Sequence, residues 1–452
     1  MIQAGDERVP THALKPNKPR ERNNGRDHLM RWIFGVAVGI GFAVATTQAD
    51  AATLRVFANS AHQAALQGNP KVPGSNLQEK FEKDTGITID WETVPWPQMQ
   101  QNLLRALSSG SSQFDVVMIE SGWPARDVLD KLVTFDAPAG SAEAKEFDAI
   151  FPRMRAAYTL DGQLKGIPIR SNPQIVHYNK AIFETRGIAE PKTFADLLTA
   201  AEKASFKRDD GAPVYGLALK PDEDIIAVVK AMGGNVLTDD FAVVVNSAET
   251  KAAVERLKDL FNKGALPPNF FSMDATSVQT MMREGLVAMS LFGDNYFNRF
   301  NDPASSRIAG KAGFFAIPGT PPQTYAPAKV AFWAAALPKN GRPDNQEAAK
   351  TFIRYLASAP VQLQMALNGN GPVRADTLRD EAFLKGAPYA SASTAALDNA
   401  TQPLPIFEGT NQVRDIFVKE AVAAIIGKKP VDEALKTAET DIKTIVDKRR
   451  DR

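Results

Sequence analysis

Phe114-Asp115-Val116-Val117-Met118-Ile119 is a short apolar run of the kind that forms a buried strand in a parallel sheet. Just before it, Met99, Leu103, Ala106 and Leu107 recur at helical spacing, with Gly110 as a stop. Further upstream, Ile87, Ile89 and Trp91 alternate as in a strand. Leu77 and Phe81 lie four apart on a helix that Gly86 would end, with Ser75 and Gln78 spaced as a capping box. Thr53–Phe57 reads as the first strand. The order strand, helix, strand, helix, strand predicts an α/β domain with a parallel sheet.

Beyond this unit the chain is richer in helix. Thr193 can cap a helix carrying Leu197, Leu198 and Ala201. Ser247 precedes a second, with Val254, Leu257 and Phe261 on one side and Gly264 as its stop. Val413–Val446 holds two helical patterns broken at Gly427–Pro430. Ile317–Ala328 is rich in Gly and Pro and reads as an internal linker. Asn368–Pro372 marks another candidate crossing. No repeat recurs at a solenoid period.

The whole chain has 452 residues, a length for two or three domains, and 53 basic against 52 acidic residues. That balance gives no general attraction to nucleic acid or anionic lipid. Cysteine is absent, which removes disulfides, thiol nucleophiles, cysteine zinc sites and iron–sulfur ligation. The four histidines, His12, His28, His62 and His177, are too few for a His-rich metal site. No cofactor and no metal are expected.

The N-terminus reads as an address. Met30-Arg31-Trp32 opens an apolar and small run to Ala45, and Ala49-Asp50-Ala51 is an A-x-A site, so cleavage is expected before Ala52. The apolar run is too short for a comfortable membrane span. Residues 1–29 are polar and read as an extension or as sequence ahead of a true start at Met30. No adjacent arginines occur there, so a twin-arginine signal does not fit. Without residues 1–51 the chain carries 46 basic against 47 acidic residues. A periplasmic location follows as the expectation.

Motifs of catalysis do not stand out. There is no Walker A loop, no GxGxxG after a strand, no GxSxG and no HExxH. The acidic clusters Asp209-Asp210, Asp222–Asp224 and Asp239-Asp240 lack EF-hand spacing and read as solvated loops. A carboxylate pair for glycoside hydrolysis depends on a distance rather than on spacing in sequence.

Seven segments, in order, resemble family 1 extracellular solute-binding proteins, the carbohydrate-binding group of bacterial ABC importers that includes maltose-binding protein. They are Phe114-Asp115-Val116-Val117; Gly166-Ile167-Pro168 with Tyr178-Asn179-Lys180 and Phe183; Pro191-Lys192-Thr193-Phe194-Ala195-Asp196-Leu197; Asn246-Ser247-Ala248-Glu249-Thr250; Gly285-Leu286-Val287-Ala288-Met289; Glu347-Ala348-Ala349 to Phe352; and Gly427 to Leu435. The resemblance implies two lobes, each a mostly parallel sheet flanked by helices, with a ligand cleft between them. The expected segments are 52–169 and 321–370 for lobe 1, and 170–320 and 371–452 for lobe 2. Crossings would fall near 168–171, 317–324 and 368–373. Two departures bear on the ligand. Arg170 replaces a small or apolar residue of the family, and Asp294-Asn295-Tyr296 follows Gly293 in place of Gly-x-Trp.

A sugar in such a cleft needs aromatic platforms and dense polar partners, because a desolvated hydroxyl left unpaired costs roughly 1–3 kcal/mol. Trp123 follows the carboxyl end of a strand, where ligands of open α/β sheets sit, and Trp333 follows the Gly/Pro linker. Trp96 stands in a loop between Pro95 and Pro97, while Trp91 reads as core. Each of the three can instead be packing. Asn59 after the first strand is a ligand or a turn residue. Glu120 accepts hydroxyls or marks a helix start. Asp294 and Asn295 follow Gly293 at the family's cleft position or form a plain turn, and Tyr296 beside them is a further candidate. Arg374 resembles a family arginine of the last crossing and binds ligand or a structural acid. Asn172, Tyr178 and Arg414 complete the candidate set, and His177 reads as filling a strand face.

The expected function is a periplasmic receptor, not an enzyme. It would act as a monomer that binds a mono- or oligosaccharide and delivers it to an inner-membrane ABC permease. Arg170 and Arg374 together raise the alternative of an anionic solute, an acidic sugar or a polyol phosphate. A secreted carbohydrate-active enzyme is the alternative from another class.

Overall fold

A computed structural model describes residues 52–450, except positions 124, 125, 136 and 139. The expected signal segment 30–51 and the polar stretch 1–29 lie outside the described residues. The strands, in chain order, are β1 Thr53–Ala58, β2 Thr88–Thr93, β3 Val116–Glu120, β4 Thr159–Leu160, β5 Gln163–Leu164, β6 Ile167–Asn179, β7 Phe206–Lys207, β8 Pro213–Ala218, β9 Val287–Gly293, β10 Ala312–Phe315, β11 Ala328–Ala336 and β12 Ala400–Thr401.

Ten of them form one sheet with the order β2-β1-β3-β11-β6-β9-β8-β7, with β10 joined to β6 and β12 to β11. The parallel arrangement read from the first unit holds for β1 with β2 and β3, and again for β8 with β9. The middle of the sheet differs. β11 runs antiparallel to both β3 and β6, and β6 runs antiparallel to β9. Two return strands therefore join the outer groups of parallel strands. The N-terminal half of β6 pairs with β11, and its C-terminal half pairs with β9 and β10.

Two main apolar cores lie along this sheet. One draws on Leu54 to Ile169 and Val330 to Val373, the other on Val176 to Ala326 and Leu404 to Val446. A smaller cluster of Ile175, Ala328, Ala366 and side chains from Leu378 to Ala396 sits where the chain passes between them. Among the described residues no helix is long and apolar enough to cross a membrane.

Local chemistry sets the helix ends. Thr193 caps helix Phe194–Lys203 in a reciprocal box with Asp196, and Ser247 caps helix Ala248–Asn262. Gly86 ends helix Leu77–Thr85 at a φ of 74°. The start of that helix is shifted from the expected capping box. Asn76 accepts the Glu79 amide, while Ser75 Oγ donates to Asn69 O. Trp96 is not in a loop but heads helix Trp96–Ser108.

Arg374 is a structural residue. Its guanidinium is buried and donates to Glu146, to both oxygens of Asp376 and to Ala357 O. It thereby ties the segment after the last crossing to helix Ala142–Asp148. Its two carboxylate partners are near half exposed, so their own desolvation adds little. Arg374→Met is expected to lower stability by about 2 kcal/mol through lost charged hydrogen bonds, measured by urea unfolding.

Candidate functional site

A cavity of about 640 Å³ opens against the middle of the sheet and takes its walls from both groups of elements. Strand alternation builds its floor, because every second side chain of a strand shares a face. Arg170, Asn172 and Gln174 line it from β6, and Lys329, Ala331 and Trp333 line it from β11. In the ladder Trp333 stands opposite Glu120 of β3 on one side and Arg170 of β6 on the other. Glu120, Trp333 and Arg170 thus form a row across three strands. Ala331 opposes Asn172, and its small side chain leaves the floor open there.

Trp333 is held by two aromatic edges. His62 meets it at 4.7 Å and Trp123 at 5.2 Å, both near perpendicular. Burial and the charge of Arg170 push the His62 ring well below its usual pKa, so it stays neutral behind the indole. Trp96, 44% exposed, stands at the rim, and its Nε1 donates to Glu120 Oε2 at 2.8 Å. Burial raises the Glu120 carboxyl, opposed mainly by the charge of Lys329.

The opposite wall is cationic and aromatic. Lys220 lies 4.3 Å above the Phe292 ring, Phe292 stacks on Tyr296 at 4.4 Å, and the Arg299 guanidinium lies 4.8 Å from Tyr296. Lys220 is itself buried and bonded to Asp224 at 2.8 Å and to Leu291 O. Lys329 donates to Glu223 at 3.2 Å. Gln174 Nε2 donates to Asp224 at 2.7 Å.

Other polar groups have no protein partner. Arg170 Nε, Asn172 Oδ1, Gln174 Oε1 and Asn295 Oδ1 are buried and unbonded, and all four side chains line this cavity. Buried polar groups are normally paired, so their clustering marks a place where partners come from outside the chain. Gly293 permits the arrangement: a Cβ there would fall 1.7 Å from Asn172 Oδ1.

Of the residues singled out in the sequence, Asn59, Trp96, Glu120, Asn172, Asn295, Tyr296 and Trp333 line the cavity. Asn59 does so while its Oδ1 caps helix Ser60–Gln67 through the amides of Ala61 and His62. Five stand elsewhere. Trp123 braces Trp333 from behind. Tyr178 packs on Phe183 and Phe315. Asp294 is fully buried, accepting from Ser393 Oγ and the Asn295 amide. Arg374 is the structural tie described above. Arg414 pairs with its neighbour Asp415 on helix Thr410–Ile425.

Gln174, Lys220, Glu223, Gln279, Phe292, Arg299 and Lys329 also line the cavity but were not among the sequence candidates. A usable signal existed for two of them. Gln174 continues the period of two set by Arg170 and Asn172 along β6, and Lys329 precedes Trp333 by four along β11. Phe292 comes from the apolar strand β9, and the rest come from helices or their ends, whose approach to the strands no local pattern encodes. Among the described residues no group of three or more His, Asp or Glu could hold a metal ion.

Two α/β lobes on a shared sheet, with a polar and aromatic cavity between them, are the build of a receptor for small solutes. An ABC transporter solute-binding protein from Agrobacterium radiobacter K84, solved with ribitol, aligns with a TM-score of 0.73 and 21% identity, covering 88% of this chain and 99% of that one. Maltose-bound MalE3 of T. maritima aligns with a TM-score of 0.74 and 20% identity, covering 87% of this chain and 100% of its own. A protein of Brucella abortus is 24% identical over 426 residues, which is 93% of this chain and 100% of the relative. Residues 76–390 match the profile of the bacterial extracellular solute-binding proteins, and the chain belongs to that family.

Two measurements test this geometry. Gly293→Ala is expected to push the Asn172 side chain from its seat, weakening solute binding at least tenfold by calorimetry while urea unfolding stays cooperative. The second concerns Asp294, whose carboxyl burial raises from 3.8 to about 6. Between those values the folded chain holds a proton that the unfolded chain has lost, so Asp294 subtracts stability as pH rises through the window. His177, lowered to about 4 by burial, acts in the opposite sense up to its ordinary 6.5. The stability difference between wild type and Asp294→Asn isolates the first group. It is expected to fall by roughly 2 kcal/mol from pH 4 to pH 6 in urea titrations.

Proposed function

We propose that this protein is the solute receptor of a bacterial ABC importer. It binds a sugar or polyol in the cavity between its lobes, leaves it chemically unchanged, and presents it to an inner-membrane permease. The carrying observation is the cavity floor: the Trp333 indole, fixed by His62 and Trp123, beside amide and guanidinium groups that have no protein partners. An indole face suits the C–H surface of a carbohydrate, and the unpaired groups suit its hydroxyls.

The lobes are proposed as 52–169 with 321–370, and 170–320 with 371–452. The division of the two main cores between 54–169 with 330–373 and 176–326 with 404–446 supports this. Closure would then bend the chain where β6 and β11 pass from one core to the other. Hinge closure around a bridging ligand sequesters it from water and reports occupancy to a partner. Membership of an extracellular family supports a periplasmic site of action, and the receptor is proposed to work as a monomer.

Thermal unfolding of the purified protein with a panel of hexoses, disaccharides and polyols tests this reading. A true solute at 100 times its dissociation constant is expected to add about 2.7 kcal/mol of stability. Trp333→Ala should abolish that shift. The solute should be recovered intact after incubation. Hydrolysis or oxidation of it at a useful rate would sink the receptor reading, as would a panel in which no sugar or polyol moves the transition.

A further inference from the structure

Not every charged side chain that lines the cavity has an ion-pair partner. Six charged side chains line it: Glu120, Arg170, Lys220, Glu223, Arg299 and Lys329. Lys220 is matched by buried Asp224, and Lys329 by Glu223. Glu120, Arg170 and Arg299 remain, and among the described residues none of the three has an ion-pair partner within 4.0 Å. Counting only these lining side chains and their ion-pair partners, one positive charge is left over, with the Asp294 carboxylate farther than ion-pair distance from Arg170.

The three are also sorted in space. Glu120 and Arg170 flank Trp333 on neighbouring strands, so their backbones lie about 10 Å apart at ordinary strand spacing. Glu120 is engaged by Trp96 at its end of the row. At the other end Arg170 is 5% exposed, its guanidinium forms no hydrogen bond among the described residues, and its Nε is buried and unbonded. Arg299, on helix Tyr296–Phe300, adds a second guanidinium there. Burial and the like charge of Arg299 lower Arg170 to about 10, which still leaves it charged at neutral pH. The buried Asp294 carboxylate favours the charged form of Arg170 but stands beyond ion-pair distance, and its oxygens accept from Ser393 Oγ and the Asn295 amide.

When water leaves such a cavity, a lone guanidinium loses hydration that neutral hydroxyls replace only in part. A carboxylate or phosphate replaces more of it, with two parallel N–H···O bonds and an opposite charge.

We propose that the natural solute is a polyhydroxylated chain or ring bearing one anionic group, with that group docked at Arg170 and Arg299 and its hydroxyls turned toward Trp333 and Glu120. This rests on the receptor reading and narrows it from sugars and polyols to their acidic derivatives. The Glu120 end accepts hydroxyl protons and would repel a second anion, which favours a monoacid over a diacid.

The test compares matched pairs by calorimetry on the purified protein: glucose with glucuronate, galactose with galacturonate, glucitol with gluconate, and glucitol with glucitol 6-phosphate. Inorganic phosphate is included alone. At least one acidic member is expected to bind tenfold or more tightly than its neutral partner, with an affinity that falls as salt is raised. The sugar-acid and phosphate arms distinguish the two anions. Arg170→Gln should erase the preference, and Arg170→Lys should restore part of it. Arg299→Gln alters an exposed side chain, so it probes the same end without risk to folding, and it should reduce the preference severalfold.

Neutral members binding as tightly as their acids would overturn the anionic assignment while leaving the receptor reading intact. So would a preference that survives both glutamine variants. Phosphate binding as tightly as every organic acid would overturn the claim that hydroxyls are read at the Glu120 end. Absence of binding by either member of every pair would count against both readings.

Discussion

The antiparallel pairing of β11 with β6 is the constraint on which the rest depends. It joins two groups of parallel strands into one sheet, and it places Trp333 between Glu120 and Arg170. A slip of one residue would turn every side chain of β11 to the other face. Trp333 would leave the cavity and Ala334 would take its place. Tyr158 helps hold the register from within the core. Its hydroxyl lies 2.9 Å from Ile119 O and 2.7 Å from Phe332 O, spanning β3 and β11 with one shared proton.

Burial of charge around the cavity follows one rule on each side of that row. Lys220 is enclosed, yet it is bonded to Asp224 and a carbonyl and covers the Phe292 ring. Lys329 and Glu223 form a partly exposed pair. These groups are satisfied by the chain itself and so shape the cavity rather than await a ligand. Arg170, Asn172 and Asn295 are different, because the chain offers them nothing comparable. A protein interior tolerates few such groups. Their presence together beside an anchored indole separates a binding floor from ordinary core.

The same two strands would connect binding to the proposed closure. β6 is paired to β11 in its first half and to β9 in its second, so it belongs to both cores. Cavity residues lie on that connecting stretch, with Arg170, Asn172 and Gln174 on the strand about which the proposed closure would turn. A solute held there touches the joint itself as well as the two walls.

Much of the architecture was legible along the chain. The run Phe114–Ile119, the alternation of Ile87, Ile89 and Trp91, and the caps Thr193 and Ser247 report local preferences, because burial and backbone satisfaction act over a few residues. Trp96 and Trp333 were legible as tryptophans beside Pro- or Gly-rich segments, Glu120 as a strand-end carboxylate, and Asn295 and Tyr296 from their place after Gly293. Arg374, Asp294 and Tyr178 have equally polar sequence surroundings. Only the fold shows that the first two answer a buried structural need and that the third packs on phenylalanines. The antiparallel crossing of β11, the cationic wall of Lys220 and Arg299, and the leftover charge at Arg170 were decided by tertiary structure alone. Partners distant along the chain determine whether a charge is matched, and no local pattern records which partners will meet.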